Sequence, residues 1–170
     1  MKLPLLASAA FALTAAPALA ADLRVDIEVP RLSAAEYHAP YVAVWIENTD
    51  QTAVGTLSVW YDVDLRNNEG LTWLADMRTW WRKSGRTLTL PADGVSGATR
   101  APGRHSISFR ADNATLRNLP AGQYNVVVEA ARELGNRELV RAPFTWGGAA
   151  NNASGQGSVE LGAVSVAVTR

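Results

Sequence analysis

Leu23-Arg24-Val25-Asp26-Ile27-Glu28-Val29 alternates apolar and charged side chains without a miss. A period of two places Leu23, Val25, Ile27 and Val29 on one face of a half-buried strand. Outward from this stretch the signal recurs in weaker form. Residues 41–47 and 57–64 are rich in Val, Ile, Trp and Tyr and flank the turn-like Asn48-Thr49-Asp50-Gln51. They predict a hairpin, with Leu57, Val59, Tyr61 and Val63 sharing a face. Residues 104–110 and 124–130 alternate after the turn signals Pro102-Gly103 and Pro120-Ala121-Gly122. Further strands are expected over 138–144 and 159–168, with a bulge at Gly162, while residues 147–157 read as a flexible loop.

Between the third and fourth of these strands, Trp73, Met77, Trp80 and Trp81 recur at helical spacing. They predict one helix near residues 71–84, its stripe widened by Leu74 and its end capped by Gly85. Short strands at regular spacing with a single crossover helix predict a mainly β fold. The expected architecture is an antiparallel β-sandwich, immunoglobulin-like or fibronectin-like, with one helical insertion.

Composition removes several classes of chemistry. The 170 residues are 48% hydrophobic and 19% charged, the profile of a globular chain. Sixteen basic residues balance sixteen acidic ones, so no cationic surface for nucleic acid is expected. With no cysteine there is no disulfide, thiolate nucleophile or iron–sulfur ligation, and His38 and His105 alone exclude a multi-histidine metal site. No metal site is expected, and redox work would need a borrowed cofactor. Lys2, an apolar run over residues 3–19 and the small-residue ending Ala18-Leu19-Ala20 predict a secretory signal peptide over residues 1–20. Residues 21–170 then form a single sandwich domain in the periplasm, with no second stretch long enough to span a bilayer.

Residues 91–103, bounded by prolines and rich in small side chains, read as an exposed loop. Within it, Asp93-Gly94-Val95-Ser96-Gly97-Ala98-Thr99 resembles the acceptor sequence of FAD:protein FMN transferases: Asp, then Ser or Thr, then Gly-Ala and a final Ser or Thr. The resemblance implies FMN joined by a phosphoester to Thr99, with Asp93, Ser96, Gly97, Ala98 and Thr99 recognised by the transferase. Each position has a physical reason. A hydroxyl on Thr99 attacks the FAD pyrophosphate, Gly97 and Ala98 admit close approach to the backbone, and Asp93 and Ser96 hold the turn.

The order "YHAPYVAVWIE", "WYDVD", "WLADMRTWWRKSGR", "DGVSGATRAPG", "LPAGQY" and "VVVEAARELGNRELV" is similar to the predicted periplasmic proteins grouped as domain of unknown function twenty-two seventy-one. That resemblance implies flavinylation and electron transfer beside a membrane-bound PepSY-type reductase. The expectation is thus a periplasmic redox carrier rather than an enzyme with its own substrate. Its rival is a cofactor-free immunoglobulin-like binding or assembly module. Trp80, Trp81, Arg78, Arg82 and Arg100 are candidate flavin contacts, against the plain alternatives of a packed helix and a solvated basic face. His38 and His105 read as structural.

Overall fold

The computed structural model describes residues 21–33 and 36–169, so the expected signal peptide lies outside the described residues. The strands are β1 (Asp22–Val29), β2 (Tyr41–Asn48), β3 (Ala53–Tyr61), β4 (Ser96–Ala98), β5 (Gly103–Phe109), β6 (Gly122–Ala131), β7 (Arg137–Trp146), β8 (Asn151–Gln156) and β9 (Ala163–Thr169). They form two sheets, ordered β5-β1-β9-β8 and β4-β3-β2-β6-β7. The fold is the expected mainly β sandwich, open at its edges. It departs from the expectation at one pair, for β4 runs parallel to β3.

Leu23, Val25, Ile27 and Val29 of β1 are buried between the sheets against Val42, Val44 and Ile46 of β2 and Val126 and Val128 of β6. Alternation along β1 therefore does what its period implies. β3 corrects the expected shared face. Val44 pairs with Ser58 and Trp45 with Thr56, so Leu57 is an extra residue in a bulge. The bulge sends Leu57 and Trp60 into the core between the sheets and Val59 and Tyr61 to the opposite face. Val63 lies beyond the strand and is exposed.

Two readings of the C-terminal region also change. β8 occupies part of the expected loop, because its backbone pairs with β9 from Asn151↔Val168 to Gln156↔Ala163. Its Asn, Ser and Gly side chains gave no apolar signal. Gly162 is not a strand bulge but sits just before β9, donating its N–H to the Glu28 carbonyl at 2.8 Å. The loop ahead of it is gathered by Glu138, whose carboxylate accepts the N–H groups of Ser158, Val159, Glu160 and Leu161 at 2.7 to 2.9 Å. Burial alone would raise the Glu138 pKa, but these donors outweigh it and lower the pKa.

The expected single helix is broken. A 3-10 helix runs Arg66–Asp76, Met77 leaves helical conformation (φ −78°, ψ 69°), and a short α1 follows over Arg78–Lys83. The break has a partner on the sheet. Glu129, fully buried on β6, accepts the N–H groups of Thr79 at 3.1 Å and Trp80 at 2.7 Å, satisfying donors that α1 leaves open at its start. The aromatic stripe is consequently split. Leu74, Met77 and Trp80 are buried on the outer face of the five-stranded sheet, whereas Trp73 is 50% exposed.

Lys83 at the other end of α1 contacts Glu47 of β2, which Arg141 and the Trp45 indole also reach at 3.0 and 3.1 Å. Burial alone would raise the Glu47 pKa; the bonds from Lys83, Arg141 and Trp45 lower it. Two buried carboxylates thus fix the position of α1.

Candidate functional site

The segment carrying the acceptor-like sequence is built from the turn upward. Val95 and Ser96 donate their N–H groups to the Ala92 carbonyl at 3.2 and 2.9 Å, and the Ser96 hydroxyl accepts the Ala92 N–H at 3.0 Å. Gly94 has φ +69°, a conformation that favours glycine. The chain then runs beside β3. Val59 donates to the Val95 carbonyl at 2.8 Å, and the register is Val59↔Ser96, Trp60↔Gly97 and Tyr61↔Ala98. What was expected as an exposed loop is in part an edge strand.

Thr99 follows at its end. Its hydroxyl donates to Asp62 Oδ1 at 3.1 Å, in an exposed environment, and the residue is only partly buried. The group is therefore presented rather than enclosed. Of the expected turn-holding pair, Ser96 makes its bond and Asp93 is exposed with no hydrogen bond among the described residues. Gly97 is also instructive. A Cβ there would meet only Trp60 Cδ1, at an ordinary 3.7 Å, so nothing in this chain demands glycine at that point.

Asp62 also belongs to the wall of a cleft of about 590 Å³, together with Tyr41, Leu65, Trp73, Arg78 and Leu134. The cleft lies between the 62–78 segment and the β6–β7 turn. His38 sits on its rim, Nε2 and Nδ1 each 3.5 Å from a carboxylate oxygen of Glu36 and Glu133. Burial pushes up the pKa of the Tyr41 phenol at its base.

The expected flavin contacts separate: Arg78, Trp81 and Arg82 come together in one depression, whereas Trp80 and Arg100 lie elsewhere. Arg78 lines the cleft. It also lines the depression beside the cleft with Trp81, Arg82 and Arg137, where Arg82 Nε bonds the Arg78 carbonyl at 3.2 Å. Trp80 cannot face a ligand, because it is fully buried with its indole N–H on Thr56 Oγ1 at 3.0 Å. Arg100 lies over the Trp60 ring at 4.3 Å. Arg104 lies on β5 in the other sheet, apart from the three arginines Arg78, Arg82 and Arg137 that share the depression. The tryptophan that does line the cleft, Trp73, was assigned to packing by its spacing. Its exposure depends on the break at Met77, which no residue pattern announces.

The profile of a family described as Predicted periplasmic protein (DUF2271) matches residues 22–163. The chain belongs to that family. The match covers β1 to β8 and the Asp93–Thr99 segment and stops at the start of β9, and the family description places the protein in the periplasm. No helix among the described residues is long and apolar enough to cross a membrane. No curated protein and no solved structure matches the chain. No group of three or more His, Asp or Glu side chains that could hold a metal ion is found among the described residues.

Proposed function

We propose that this protein is a periplasmic electron carrier that holds FMN as a phosphoester on Thr99. The observation that carries the reading is the placement of Thr99, a partly exposed hydroxyl at the end of a short edge strand. The residues before it spell the acceptor-like sequence. Gly97 adds support, since its small size answers no internal need and so suits the close grip of a modifying enzyme.

The modifying enzyme in this reading is an FAD:protein FMN transferase. Thr99 Oγ1 bonds to the flavin-side phosphorus of FAD, the pyrophosphate bond breaks and AMP leaves. The hydroxyl hydrogen departs as a proton from the face on which Asp62 now accepts it. A covalent tether suits an exported protein, because a loosely bound flavin would be lost by dilution outside the cytoplasm. Electrons then come from a membrane-bound PepSY-type reductase and leave to a second redox partner.

Intact-mass measurement after coexpression with a flavin transferase tests this. The expected result is the mass of one FMN on the wild type and none on Thr99→Ala. Wild-type protein without that addition would end the reading and leave the cofactor-free binding module.

A further inference from the structure

Three features meet at one place on the described surface. The first is the cleft of about 590 Å³, within the ~300–1,000 Å³ usual for small-molecule sites. The second is a group of exposed apolar side chains on a cleft whose lining is otherwise mainly polar. Leu65, Trp73 and Leu134 are exposed by 41, 50 and 81%, and all three lie on this cleft. Leu134 is the least expected of them. It takes a left-handed φ of 54° at a turn tip, where Gly or Asn would relieve the backbone and a polar side chain would suit the solvent. The third feature is Asp62, which forms part of the cleft wall and accepts the Thr99 hydroxyl at 3.1 Å.

From these we infer that the cleft is the seat of the isoalloxazine ring of the FMN carried on Thr99, with Trp73 and Leu134 covering its faces. The inference rests on the reading of Thr99 as the acceptor. The acceptor oxygen lies 3.1 Å from Asp62 of the cleft wall, and the phosphate and ribityl chain provide the tether that reaches inward. Trp73 supplies an aromatic surface of the kind that stacks on a planar ring.

The charged side chains of the cleft are of both signs. Arg132 is held by Glu160 at 2.9 and 3.1 Å and Arg137 by Glu129 at 2.7 Å, so both are already paired. Arg78 makes no ion pair among the described residues and lines the same cleft, where it opposes Asp62 and Asp76. Its guanidinium is free to bind the phosphodiester, against the like charge of the neighbouring carboxylates.

The test uses the full chain loaded by coexpression with a flavin transferase, with the added FMN mass measured for every variant. Wild-type flavin emission is expected to be strongly quenched and poorly accessible to iodide. Trp73→Ala raises emission severalfold with the FMN mass retained. Leu134→Gly, which relieves the left-handed backbone and so does not threaten folding, increases iodide quenching. Val54→Ala, an exposed apolar side chain away from the cleft, changes neither. Retained mass with wild-type emission and iodide access in both cleft variants overturns this inference and leaves the carrier reading intact. Absence of the added mass in the wild type overturns both.

Discussion

On its inner face the five-stranded sheet turns Val42, Val44, Ile46, Val126 and Val128 toward the apolar side chains of the other sheet. On its outer face the same two strands offer Trp45, Glu47, Val127 and Glu129, and the carboxylates are as deeply buried as the valines. The inner face is held by area removed from water, a non-directional term that accepts many apolar packings. The outer face is held by directional bonds. Glu129 accepts two α1 N–H groups and Glu47 engages Lys83 and Arg141. Such bonds fix where a segment sits, and here the segment carries one wall of the cleft. Stability resides chiefly on one side of the sheet and placement on the other.

The contrast is sharpest for a large-to-small change in the core. Ile46→Ala is expected to lower unfolding free energy by ~2–5 kcal/mol through lost burial and a residual cavity. Denaturant unfolding with an unchanged slope would show it, and a loss under ~1 kcal/mol would mean that the inner face is not tightly packed.

Glu129→Ala should cost less, about 1–3 kcal/mol, by leaving the buried Trp80 N–H, the partly buried Thr79 N–H and the half-exposed Arg137 guanidinium unmatched. Its signature is selective: near-ultraviolet circular dichroism from Trp80 collapses while the strand signal in the far ultraviolet persists. Equal loss of both would erase the distinction between the two faces.

Acid provides a third separation. The Glu47 pKa is lowered in the folded chain, so its contribution is fully present above the ordinary carboxylate range and disappears as pH falls through the lowered value. Titration is therefore expected to loosen the outer layer before the inner core, with Trp fluorescence changing ahead of strand content. Coincident changes would contradict this order.

The smallest expected effect on stability is at the acceptor segment. Gly97→Ala should alter stability by no more than ~0.5 kcal/mol, since the added methyl meets only an ordinary contact. FMN addition by the transferase should nevertheless fall. An unfolded variant, or one modified as fast as wild type, would break the argument that this glycine serves a partner.

What could be read from the sequence follows the same division. β1 was legible because one of its faces is buried and the other wet, and β2, β6 and β7 because Val, Ile and aromatic side chains crowd them. β8 was not, for it is held by backbone pairing and carries almost no apolar side chains. The break at Met77 was hidden because its cause, Glu129, stands far away in the chain. An acid inside a valine-rich strand, as at Glu47 and Glu129, was the available signal that a polar partner covers that face. The acceptor-like sequence was legible as letters. Its pairing with β3 and the proximity of Thr99 to the cleft wall depend on tertiary contacts that no local pattern encodes.

The parallel pairing of β4 has one more result. An unpaired flank of β3 would invite other chains to add to it and clump, and the short Ser96–Ala98 strand shields part of that flank. Deleting the segment to obtain a colourless control would therefore bare a sticky border and cost solubility. The point substitution Thr99→Ala, which leaves the backbone pairing in place, is the cleaner instrument.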